Sequence, residues 1–217
     1  MAPGILRLLE PVRGGQVVEI GCGSGLLTKY LVDAGHHVLA TDASPAMIEL
    51  ARDYVPEARI EPLRLPDDPI PDADAIVSVG HPLSYLRDEQ QVERALAAMA
   101  GALHPGGVLA FDICDLAWGE ARRAAPPVVW FGDDWVLITR TSVPDPRTFR
   151  REMTMFMRAG DLWRREEETH DNVLVDTTRI PALLRREGVT AEVTTGFGDE
   201  TLPTGLVAVV GRRGSTT

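Results

Sequence analysis

The residues with the most specific chemical meaning lie in one segment, VVEIGCGSGLLTKYLVDAGHHVLATDAS, residues 17–44. Gly21, Gly23 and Gly25 separate an apolar run from a helical pattern. Glycine at such a junction lets the backbone turn sharply and approach a ligand closely. A helix starting near Gly25 also offers unpaired N–H groups to a carboxylate or phosphate. Two acids flank the loop. Glu19 stands two residues before the first glycine. Asp42 ends the next apolar run, where a carboxylate can accept hydrogen bonds from both hydroxyls of a ribose. The spacing is G-x-G-x-G, and Leu26 stands where the dinucleotide pattern G-x-G-x-x-G has glycine. The chemistry implied is nucleoside binding. An NAD-type oxidoreductase is the second reading, and Leu26 and Glu19 count against it.

Further along, His81 follows an apolar run at the kind of strand end where ligands gather in open α/β sheets. It either takes a proton, orients a substrate, or only hydrogen-bonds its own loop; Pro82 restricts the backbone there. Asp112 and Asp115 close a later apolar run. A hard cation needs several oxygen ligands, and no complete set is visible, so no metal is expected. Cys22 reads as a small packed residue rather than a nucleophile. Glu166–Glu168 read as a solvated strand edge; facing a pocket, they would instead favour a cationic substrate.

The elements that must position these residues follow from periodicity and punctuation. Short apolar runs predict strands at 16–20, 36–42, near 58–63, 74–80 and 106–113. Helices are predicted over 26–34, from Ser44 and Pro45 through Ala51, and over 88–103. In the first of these, Leu26, Leu27, Tyr30 and Leu31 repeat at helical spacing. Pro66, Pro69 and Pro71 mark a loop. The alternation predicts a parallel sheet with helices on both faces. From about residue 128 to 171 the pattern changes to longer strands of mixed polarity, at 134–143, 148–159 and 161–170. These predict an antiparallel layer inserted beside the main sheet. A helix near 177–187 ending at Gly188, then strands near 189–196 and 205–211, complete a seven-stranded, doubly wound, Rossmann-like α/β fold in a single domain, 1–217. The tail GRRGSTT is expected to be loose.

With the loop, the acid and the strand order in place, the chain resembles the class I S-adenosylmethionine-dependent methyltransferases of small-molecule type. DADAIVSVGHPLSYL resembles their fourth-strand segment and LHPGGVLAFDI their fifth. The later layer with ETHDNVLVDTTRIPALLRREGV resembles their substrate-side insertion. The resemblance implies a cofactor, S-adenosylmethionine. It implies Glu19 near the methionine ammonium, Gly21, Cys22, Gly23, Gly25 and Leu26 as the loop beneath the ligand, and Asp42 on the ribose. It implies Ala43 and Met47 as adenine walls, Met47 being equally readable as core. Arg64 and Leu65 would lie at the adenine edge, where many relatives carry an acid, and Val79 and Gly80 would face the sulfonium. His81, His170 and Tyr85 are the candidates for handling the acceptor's proton. His170 and Tyr85 are also readable as a surface strand residue and a pocket wall. The expected reaction is in-line methyl transfer to an oxygen or nitrogen of a small molecule, with a catalytically silent cofactor-binding module as a further alternative.

Composition narrows the partners. The chain has 217 residues and a formal net charge of −10. Binding a phosphate backbone needs clustered Lys and Arg, so no nucleic acid is expected. No apolar run of about 18 residues is present, so no membrane span is expected, and the start lacks a secretion pattern. Two cysteines do not suggest a disulfide framework; the cytoplasm is the default compartment. The short stretch PGILRLLEP before the first strand is at most a small helix. Either the pocket is open, or the insertion or a partner subunit in a homodimer closes it, or the start is misassigned.

Overall fold

The computed structural model describes residues 1–215; Thr216 and Thr217 of the expected loose tail lie outside the described residues. Seven strands form the main sheet, in the order β10-β13-β5-β4-β1-β2-β3. The strands are β1 (Gln16–Ile20), β2 (His37–Asp42), β3 (Arg59–Pro62), β4 (Ala73–Ser78), β5 (Leu103–Cys114), β10 (Val189–Thr194) and β13 (Leu206–Arg213). The first five pair in parallel; β13 runs antiparallel between β5 and β10. The tail expectation is corrected here. Gly211, Arg212 and Arg213 pair with Ala191, Thr190 and Val189, so the last strand runs further than its apolar run indicates.

The central strands are buried on both faces, which is why they read as continuous apolar runs. Helices α2 (Leu26–Asp33), α3 (Pro45–Tyr54) and α4 (Glu89–Gly101) connect them. Ser44 and Asp88 cap α3 and α4 by accepting from Met47 N and Gln91 N. Phe111, Ile113, Leu96 and Met99 belong to the core on one side of the sheet. Val17, Ala110, Leu31 and Ile5 belong to the core on the other. Ile5 comes from α1 (Ala2–Leu9), the short helix expected at the start.

Four antiparallel strands form the second sheet, in the order β6-β7-β8-β9: β6 (Val128–Phe131), β7 (Trp135–Asp145), β8 (Thr148–Ala159) and β9 (Leu162–Val173). Two further elements escape the sequence pattern. One is α5 (Leu116–Arg122), seven residues long, capped by Asp115 accepting from Ala117 N. The other is a hairpin of β11 (Gly196–Phe197) and β12 (Glu200–Thr201). The predicted helix near 177–187 is a 3-10 turn, Thr177–Arg179, followed by α6 (Ile180–Arg186). Asp176 caps that turn by accepting from the Thr178 amide and hydroxyl. One helical expectation needs correction. Leu26 and Tyr30 do not join the core; they stay exposed, on the side of α2 turned to an open cleft.

Candidate functional site

The loops at the carboxyl ends of β1, β2, β3 and β4 converge on one cleft of about 1150 Å³. It is lined by Glu19, Gly21, Cys22, Gly23 and Leu26 from the glycine loop, and by Asp42, Ala43 and Met47 around the start of α3. Arg64, Leu65, Val79 and Gly80 line it from the next two loops, and Tyr85 and His170 close its far end. The cleft therefore brings together fourteen of the sixteen residues singled out above. Gly25 and His81 are not among its walls.

The three loop glycines serve different ends. All have positive φ, a conformation that L-residues with a side chain rarely adopt. A Cβ on Gly21 would lie 2.4 Å from Pro82 Cγ, so this glycine admits the loop after β4 rather than a ligand. Gly25 sits against Val55 and Ala51 of the α3 region. Gly23 meets nothing within 4 Å, and neither does Gly80 across the cleft. These two present bare backbone to open space, a cradle that side chains would fill.

Asp42 is oriented by the loop it serves. Oδ2 accepts from Gly23 N at 2.9 Å and Oδ1 from Ser44 N at 2.8 Å. Each oxygen keeps a further acceptor site for a diol. Glu19 lies deeper, accepting from the Thr28 hydroxyl at 2.6 Å. Burial pushes its carboxyl up to about 7, and the nearby Asp42 charge adds to the rise against the Thr28 bond. Cys22 is buried, and burial pushes its thiol up to about 12, far from a thiolate nucleophile. Met47 lies in the cleft wall rather than the core. The set of a carboxylate with acceptor sites to spare, two bare glycines and apolar walls fits an adenosyl group carrying a sulfonium.

At the other end of the cleft, a 3-10 turn, Pro82–Tyr85, meets β9. The Tyr85 hydroxyl lies 3.0 Å from His170 Nδ1 and accepts from Arg151 Nη2 at 3.2 Å. His170 Nε2 lies 2.7 Å from a Glu168 carboxylate oxygen, off the line of a ring N–H hydrogen bond. With that side facing a carboxylate, the proton belongs on Nε2, and the bare Nδ1 is free to accept the Tyr85 proton. Arg151 and Glu168 were not foreseen as partners. In the sequence they are members of an alternating charged strand; only the β8–β9 register, which pairs Arg151 with His170, places them here.

His81 stands behind this group, its ring stacked on Tyr85 at 5.9 Å and tilted against Trp118 at 6.0 Å. Burial and the Arg151 and Arg122 charges lower its pKa to about 4, so the ring is neutral at neutral pH. It is the one non-glycine residue among those described with positive φ, at 52°. Asp112, fully buried, holds that turn by accepting from His81 N at 2.7 Å. Burial raises the Asp112 carboxyl to about 6. Among the described residues no group of three or more His, Cys, Asp or Glu side chains is placed to hold a metal ion. No helix among them is long and apolar enough to cross a membrane.

Comparison with known proteins agrees with this geometry. Residues 17–107 match the family described as a methyltransferase domain. The chain is 32% identical over 121 residues to malonyl-[acyl-carrier protein] O-methyltransferase of Pectobacterium atrosepticum, covering 55% of this chain and 47% of that protein. It is 36% identical over 121 residues to trans-aconitate 2-methyltransferase of Variovorax paradoxus, covering 52% and 44%. The chain thus spans about half the length of these curated relatives. Among solved structures, an S-adenosylmethionine-dependent methyltransferase from Clostridium acetobutylicum superposes with a TM-score of 0.85 at 17% identity, over 99% of this chain and 91% of that one. The sugar N-methyltransferase KedS8 from Streptoalloteichus superposes at 0.82 and 23% identity, over 99% and 87%. Likeness at that identity concerns the fold, and it extends through the second sheet. Residues 17–107 match a methyltransferase domain, and the chain as a whole has the fold of solved S-adenosylmethionine-dependent methyltransferases.

Proposed function

We propose that this chain transfers a methyl group from S-adenosylmethionine to an oxygen or nitrogen of a small molecule. The observation that carries the reading is the single cleft with the Gly23–Asp42 cradle at one end and the Tyr85–His170 pair at the other. When bound, S-adenosylmethionine supplies a methyl group already activated by a positively charged sulfur. The residues of the chain then have two tasks. Asp42 and the bare backbone at Gly23 and Gly80 hold the cofactor so that an acceptor lone pair can approach in line, and positioning supplies much of the rate. Tyr85 and His170 handle the acceptor's proton: the Tyr85 oxygen takes it while the phenolic proton passes to His170 Nδ1.

The named relatives act on dissimilar acceptors, an acyl-carrier-bound malonyl group, trans-aconitate and a sugar amine. A small acceptor suits the cleft. Calorimetric titration with S-adenosylmethionine, S-adenosylhomocysteine and NADH tests the reading. Saturable binding of both adenosyl ligands, weakened at least tenfold in Asp42→Ala, is expected. Binding of NADH alone would return the chain to the oxidoreductases.

A further inference from the structure

Beside Tyr85 the structure gathers buried hydrogen-bond donors that nothing accepts. Thr141, Arg151 and His170 stand side by side on the inner face of the second sheet, paired in register across β7, β8 and β9. Thr141 Oγ1 and Arg151 Nε are buried without a hydrogen-bond partner, and His170 Nε2 has only the off-line Glu168 oxygen. Asn172 Nδ2, in a residue 1% exposed on the same face, and Trp118 Nε1 are also buried without a partner. The Trp118 ring reaches that face edge-on against Phe149. Arg151 Nε, Asn172 Nδ2 and Trp118 Nε1 can only donate. Buried donors are normally satisfied, so this region is short of acceptors.

It also carries uncompensated positive charge. Arg151 has the Tyr85 phenol, 3.2 Å away, as its hydrogen-bond acceptor, and no carboxylate ion-pairs with it among the described residues. Arg122 lies 3.3 Å over the Trp118 ring and bonds the carbonyls of Trp118 and Thr204. Both charges add to the burial that lowers the His81 pKa. Neither carboxylate nearby reaches a guanidinium: Glu168 lies at His170 Nε2, and Asp112 accepts from His81 N with Oδ1 while its Oδ2 stays buried without a partner. A neutral phenol is a weak partner for a guanidinium, and a planar carboxylate is a stronger, bidentate one.

We propose that Arg151 is the binding site for a carboxylate of the methyl acceptor, so that the chain's substrates are small carboxylic acids methylated at another atom. This rests on the proposed methyl transfer. Seating the carboxylate draws the guanidinium from the Tyr85 oxygen and leaves that oxygen free to receive the acceptor's proton. Substrate binding and readiness of the base are thereby coupled through one side chain.

The test is calorimetry on the full chain saturated with S-adenosylhomocysteine. The probes are phenylacetate against phenylacetamide, glutarate against glutaramide, and inorganic phosphate. The acids are expected to bind about tenfold or more tighter than their amides, as a charge-assisted hydrogen bond predicts. Arg151→Gln should bring each ratio near one with S-adenosylhomocysteine affinity unchanged, and Arg151→Lys should restore part of it. Equal binding of acid and amide, no binding of either acid, a preference that survives Arg151→Gln, or phosphate binding tighter than both acids would each overturn the proposal. Failure of S-adenosylhomocysteine itself to bind would count against the methyltransferase reading instead, and the acid–amide comparison is then read on the chain alone.

Discussion

At the scale of single residues, Glu19 makes a prediction with a definite sign. Its folded pKa, about 7, lies above the ordinary value of 4.5. The unfolded chain therefore loses this proton first as pH rises. Its stabilising contribution is complete below pH 4.5 and is lost as pH approaches 7. The full shift corresponds to about 3 kcal/mol, an upper bound for a buried group. Thermal melts from pH 4.5 to 7.5 should show the wild type falling relative to Glu19→Gln, which keeps an acceptor for the Thr28 hydroxyl. A constant difference across that range would show that Glu19 titrates normally. His81, with its pKa lowered to about 4, acts in the opposite sense and loses its contribution as pH falls from 6.5. A His81→Phe background separates the two effects. Tyr85→Phe removes the proton-carrying oxygen and keeps the ring; kcat should drop about a hundredfold, within the usual range for general acid–base catalysis, with S-adenosylhomocysteine affinity unchanged. An undiminished kcat would remove Tyr85 from the mechanism.

The glycine loop was legible in the sequence because its chemistry is local. Residues 17–44 contain the strand, the turn, the helix start and both acids, and a short window shows all of them. The reason for Gly21 was not legible. Its need arises from Pro82, sixty-one positions away in the chain and 2.4 Å from where a Cβ would stand. The Tyr85–Arg151–His170 group was half legible for the same reason. Tyr85 and His170 stand in telling segments, but Arg151 enters only through strand register.

Between elements, α5 is the joint that matters. It was missed because seven residues, LAWGEAR, are too few for a helical period to declare itself. The β6 strand, VVWF, has all four residues exposed, so no alternation marks it. Two glycines let α5 dock. A Cβ on Gly119 would stand 2.5 Å from Leu174 Cδ1, and one on Gly205 would stand 2.2 Å from Trp118 N. Gly205 also has φ of 84°. Gly205→Ala should therefore cost about 1–3 kcal/mol, since it combines a backbone clash with a disfavoured φ. It should displace Trp118 and with it the far end of the cleft. Chemical denaturation measures the first effect. The second is read as a change in Trp fluorescence with S-adenosylhomocysteine binding intact. A variant as stable as wild type would mean that the loop before β13 simply moves aside.

Over the whole molecule, the main sheet and the second sheet divide the work. The loops at the carboxyl ends of the parallel strands supply Gly23 and Asp42 to one end of the cleft, and β9 supplies His170 and Glu168 at the other. The two parts are tied where the excursion begins and ends. Asp115 pairs with Val175 as an isolated bridge, Val175 N donates to Cys114 O at 3.1 Å, and Thr177 Oγ1 donates to Asp115 Oδ2 at 2.6 Å. The chain leaves the main sheet and returns to it at the same place, so the ends of the excursion are fastened by one clasp. A loop whose ends are already fastened can change length at small entropic cost. This layout is that of an interchangeable cassette: the excursion between Asp115 and Val175 can be traded for another while the strands that carry Gly23 and Asp42 keep their register.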